Sequence, residues 1–79
     1  MADQLRVEFL IEPFVEGNPG IHVMAAVDAF ADRGLAIEFG PFGNTAAGAR
    51  PQVLEALAAA LDAAFVEGAT RVTVHVATT

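Results

Sequence analysis

The 79-residue sequence predicts an α+β fold: an antiparallel four-stranded sheet carrying two helices on one face. Three observations lead there. Separate segments alternate apolar and polar residues with period two, and two others carry apolar residues at three- and four-residue steps. Each helical segment also closes on a glycine, Gly34 and Gly68. The order is strand, helix, strand, strand, helix, strand, which makes two βαβ-type halves. Right-handed crossovers then arrange it as a ferredoxin-like βαββαβ sandwich with sheet order 4-1-3-2.

From Gln4 to Glu12, Leu5, Val7, Phe9 and Ile11 point one way and Arg6, Glu8, Leu10 and Glu12 the other, until Pro13 stops the strand. Residues 13–20 form a loop, and Asn18-Pro19-Gly20 has the pattern of an N-cap followed by proline in the first turn. Val23, Ala26, Val27 and Phe30 then recur at helical spacing from Ile21 to Arg33. Leu35, Ile37 and Phe39 make the second strand, and Asn44 to Ala49 the third. Pro51 opens the second helix, with Leu54, Leu57, Leu61, Ala64 and Phe65 as its expected buried stripe. Val72, Val74 and Val76 alternate with Arg71, Thr73 and His75 in the last strand.

Residues 1–79 make one domain, because a second core would have too little chain to close around it. The formal net charge is −6, with no lysine and four scattered arginines, so the chain is not expected to bind nucleic acid. Cysteine, serine and lysine are absent, which removes the commonest covalent catalysts and any thiolate metal site. The two histidines, His22 and His75, lie far apart and no HxH or HxxxH spacing exists, so no metal is expected. No leader-like or membrane-spanning apolar run is present, and the expected location is the cytoplasm, with no membrane partner. A hydrophobic fraction of 54% is high for so short a chain, which predicts a homo-oligomer, dimer or tetramer.

The sheet face without helices should carry Arg6, Glu8, Leu10, Glu12, Glu38, Thr73 and His75. The stretch Glu38-Phe39-Gly40-Pro41-Phe42-Gly43 is conformationally constrained, with Gly40 and Gly43 as expected determinants of its shape. Asn44 and Thr45 follow it and offer hydrogen bonds that need no charge. Glu8, Glu12 and Glu38 read equally as polar residues of an uncovered face, His22 as an imidazole near a helix start and His75 as a subunit contact.

Three places carry a resemblance to a known family: Val7 to Glu12 running into Pro13-Phe14, Glu38 to Gly43 continuing to Gly48, and Gly68-Ala69-Thr70-Arg71-Val72. Over almost its whole length the chain resembles the small thiamine-binding, YkoF-like proteins. Where those place a threonine directly after the second turn glycine, this chain has Asn44, with Thr45 next, and Ala47 stands where some carry a charge. The resemblance implies non-catalytic, reversible binding of thiamine or its hydroxymethylpyrimidine moiety by domains assembled sheet to sheet, in thiamine uptake or handling. It implies no cofactor beyond that ligand. Asn44 and Thr45 would hydrogen-bond the pyrimidine, and Glu8 or Glu38 would face its amino group or the thiazolium charge. His22 would line the rim, and Phe14 or Phe42 would cover a ring. Two other readings stand beside this one: a ligand-free self-assembling or regulatory module, and a small ferredoxin-like enzyme using His75 with Glu8 as a proton-transfer pair.

Overall fold

A computed structural model describes residues 3–13, 20–40 and 43–79. The elements are β1 (Gln4–Glu12), α1 (Ile21–Ala31), β2 (Glu38–Gly40), β3 (Gly43–Ala49), α2 (Arg50–Val66) and β4 (Arg71–Thr78). The sheet order is β2-β3-β1-β4 and every neighbouring pair is antiparallel, the ferredoxin-like α+β arrangement expected.

β1 organises the core. Its odd-numbered residues Leu5, Val7, Phe9 and Ile11 are buried and its even-numbered ones, save the half-buried Glu12, exposed, because period-two side chains alternate between faces. Against the buried row lie Ala26, Ala29 and Phe30 of α1 and Val53, Ala56, Ala60 and Ala64 of α2. The Phe9 and Phe30 rings stack nearly parallel, 5.3 Å between centroids.

Both helices close in the same way. Leu35 N–H reaches back to the Phe30 carbonyl and Ala69 N–H to that of Ala64. The reversal runs through Gly34 at φ +77° and Gly68 at φ +105°, a conformation that costs an L side chain energy. At the other end of α1 the cap is Gly20, one residue before Ile21, with no side-chain cap bond; Asn18 and Pro19 lie outside the described residues. Pro51 does sit in the first turn of α2, whose Arg50 N–H donates to the Asp3 carbonyl.

Two expected features are corrected. The buried stripe of α2 is Val53, Ala56, Ala60 and Ala64, while Leu54 and Phe65 are about half exposed and Leu57 half-buried. α1 and α2 pack along each other over the sheet, and alanine lets helix backbones approach where leucine would hold them apart. The second strand begins at Glu38 rather than Leu35, and Phe39 is 62% exposed, because β2 lies at the sheet edge with, among the described residues, a neighbouring strand on one side only.

Gly40 and Gly43 are register partners, and they differ. Gly43 sits at φ +146°, and a Cβ there would lie 3.1 Å from the Phe9 carbonyl oxygen; Gly40 has no such backbone angle. Gly43→Ala should therefore lower stability by on the order of 1 kcal/mol, and Gly40→Ala by less. Urea denaturation midpoints of the two variants check this, and equal midpoints would contradict it.

Candidate functional site: the open sheet face

The register across the sheet builds the site. Glu38 of β2 pairs with Thr45 of β3, Thr45 with Glu8 of β1, and Glu8 with His75 of β4. Cross-strand partners share a face, and Glu8 lies on the face opposite the buried Val7 and Phe9. Glu38, Thr45, Glu8 and His75 thus form one row across all four strands, on the side without helices. Adjacent strands are about 4.8 Å apart, so the two carboxylates flank the Thr45 hydroxyl at a mutual backbone separation of roughly 10 Å.

Around the row, Arg6 pairs with Glu8 at 3.3 Å and Arg71 with Glu12 at 3.0 Å. Both Arg6 and Glu8 are more than half exposed, so this pair is worth no more than about 1 kcal/mol and yields readily to a ligand. Leu10, register partner of Thr73, adds apolar surface, 39% exposed. The face therefore carries the carboxylates of Glu8, Glu12 and Glu38 against the guanidinium groups of Arg6 and Arg71, with the Thr45 and Thr73 hydroxyls, the His75 imidazole and Leu10, a set with a small negative excess that accepts hydrogen bonds from an amino group and favours a cation over an anion.

The structure separates the other two candidates from this row. Asn44 pairs with Phe9 and Phe39, so its side chain lies on the helix side of the sheet, opposite to Thr45. Both residues lie inside β3, as expected, and because consecutive strand residues face opposite ways their side chains stand on opposite faces of the sheet rather than together. His22 is buried, and its Nε2–H donates to the Pro13 carbonyl at 2.8 Å, tying the first turn of α1 to the end of β1. A Cβ on Gly20 would lie 2.5 Å from the His22 ring, so that ring is packed onto the helix cap rather than standing at an open rim. Phe14 and Phe42 lie outside the described residues.

His75, expected on this face and beside Glu8 but not among the ligand contacts, completes the row. Its position opposite Glu8 follows from the pairing of the first and last strands, given the register. Between sheet and helices, an apolar cavity lined by Phe9, Phe30, Leu57 and Val72 measures about 10 Å³, room for about one water and no organic ring. A shallow groove of about 270 Å³ beside Ile21, Met24 and Glu67 belongs to the helix layer, on the other side of the sheet. Among the described residues no three His, Asp or Glu side chains gather as metal ligands would. Among those residues, too, no helix is long and apolar enough to cross a membrane.

These features define a small α+β sandwich with an uncovered polar sheet face. Solved structures share the fold. A hypothetical protein of Methanocaldococcus jannascii, MJ1052, superposes with a TM-score of 0.69 at 20% identity, covering 98% of this chain and 79% of its own. A domain of unknown function, DUF77, from Bacillus cereus gives 0.58 at 21% identity, covering 99% and 76%. A Thermotoga maritima protein provisionally assigned to thiamine biosynthesis or salvage, TM0486, gives 0.54 at 17% identity, covering 94% and 80%. No family model and no curated protein matches the chain.

Proposed function

We propose that this chain is a cytoplasmic, non-catalytic binding protein for thiamine or its hydroxymethylpyrimidine moiety, and that the row Glu38–Thr45–Glu8–His75 is where the ligand lies. The observation that carries the reading is the register that sets a carboxylate on each side of a hydroxyl on an uncovered sheet face. A flat aminopyrimidine laid over Thr45 can donate its amino group to one carboxylate, while the thiazolium charge meets the other. The thiamine-related assignment of a neighbour with this fold supports that choice of ligand over other flat cations.

An uncovered sheet encloses a ligand on one side only, whereas small-molecule sites bury most of the ligand surface. The reading therefore includes a second copy of the chain laid over the open face, with the exposed Leu10 in the contact. His22 and Asn44 hold the surrounding fold in this account and do not touch the ligand.

Titration calorimetry with thiamine and with hydroxymethylpyrimidine tests this. A lost hydrogen bond to a charged group costs about 1.5–3 kcal/mol and a neutral one about 0.5–1.5. Glu38→Gln should therefore weaken thiamine binding ten-fold or more, and Thr45→Val several-fold, while Asn44→Ala should leave affinity unchanged. No heat with either compound at millimolar concentration would end the proposal. The same register favours one second reading, since His75 directly opposite Glu8 is the arrangement a proton-transferring enzyme needs. Turnover of any substrate, abolished by His75→Gln, would replace binding by catalysis.

A further inference from the structure

We propose that the groove between the start of α1 and the end of α2, on the outer side of the helix layer, docks a basic amphipathic helix of a partner protein. The groove lies across the sheet from the ligand face, so this inference stands apart from the proposed function.

The two helices run antiparallel. At one end of the pair Gln52 of α2 donates to the Arg33 carbonyl, just past α1, and the Arg33 guanidinium reaches Glu55 at 3.6 Å. At the other end Ile21, Met24 and Asp28 of α1 line the groove together with Glu67, the C-cap of α2. The three α1 residues follow one another at three- and four-residue steps and so form one stripe. Asp62 and Val66 stand two and three turns beyond Glu55, at nearly the same angle around α2. Since Glu55 faces α1, they extend the α2 bank of the groove.

An ordinary surface helix turns polar residues outward. Here Ile21 is 71% exposed, Val66 73% and Met24 40%. The charges among them have one sign: Asp28, Asp62 and Glu67 are all exposed carboxylates. No arginine or lysine occurs from Ile21 to Asp32 or from Pro51 to Thr70. His22 is buried and bonded to the Pro13 carbonyl, and Arg33 lies roughly 18 Å along the helix from Ile21. The positive end of α1 and the negative end of α2 meet at the groove and offset, so the carboxylates set its sign. Such a surface repels an anionic membrane, and a second copy would set the same three carboxylates against these. A third helix fits the channel between two packed helices, with apolar side chains on Ile21, Met24 and Val66 and lysine or arginine beside the carboxylates. Unbranched Met24 adapts its shape to what arrives.

Fluorescence anisotropy tests this with a labelled peptide of about four helical turns, leucine on one face and lysine on the other. It should bind saturably at micromolar concentration. A scrambled peptide of equal composition and a glutamate-for-lysine version should each bind at least ten-fold more weakly. Asp28→Asn combined with Glu67→Gln should weaken binding several-fold, as should Met24→Ser, with circular dichroism unchanged. Asp3→Asn combined with Glu55→Gln removes the same charge away from the groove and should leave affinity as it was. No saturable binding, equal affinity for the scrambled peptide, or an equal loss in the distant pair would each overturn the proposal. So would full affinity in folded Met24→Ser, which would reduce the attraction to net charge, or sedimentation with phosphatidylserine vesicles, which would assign the face to a lipid surface.

Discussion

Phe30→Ala should remove a large part of the chain's folding stability. Phe30 is fully buried, stacked on Phe9, and sits where α1, α2 and β1 meet. Truncating a buried phenylalanine costs about 3–5 kcal/mol through lost transfer energy and the cavity left behind. A chain of this length has roughly 4–12 kcal/mol in total. Each kcal/mol lowers Tm by about 4–8 °C in so small a domain, so a fall of more than about 12 °C is expected by calorimetry. Phe30→Leu, which keeps much of the volume, should fall by less. A shift of only a few degrees for the alanine variant would mean that the two rings do not hold the layers together.

Gly48→Ala carries the second large effect. A Cβ at position 48 would stand 2.6 Å from Leu35 Cδ2 and 3.6 Å from Val53 Cγ2. Leu35 is itself buried, so the added methyl has to displace a packed side chain, and overpacking of this kind costs about 1–3 kcal/mol. The neighbouring Ala47 faces the open side and is exposed, and Ala47→Val should change stability by less than about 0.5 kcal/mol. Combining Gly48→Ala with Leu35→Ala should cost less than the sum of the two single changes, since the second removes the atoms the first collides with. Strict additivity in urea denaturation would show that Leu35 already has room to move.

The same residues show what a sequence can and cannot say here. The bounds of β1, the helix-ending Gly34 and Gly68, and the sheet order were all legible, because strict alternation and glycine stops depend on local geometry. The buried face of α2 was legible only in part. Of the expected stripe Ala64 is buried and Leu57 packs partly buried against the core, but hydrophobicity also favours Leu54 and Phe65, whereas close approach to α1 selects Val53, Ala56 and Ala60, a requirement visible only once the neighbour is placed. At the site, Glu8, Thr45 and Glu38 were named and do come together. Asn44 was grouped with Thr45 because Gly43 looked like the end of a turn, when it is the first residue of a strand. His22 looked like an available imidazole, and its bond to Pro13 belongs to a contact between segments that spacing does not reveal.

The central claim is that the open sheet face is the ligand-binding surface. Backbone amide chemical-shift mapping of the labelled chain during a thiamine titration tests it most directly, because every strand residue reports separately. Saturable shifts should concentrate at Glu8, Glu38, Thr45 and His75, with the α1 and α2 amides still. An unchanged spectrum, or shifts centred on His22, Asn44 and the helix layer instead, would contradict the account.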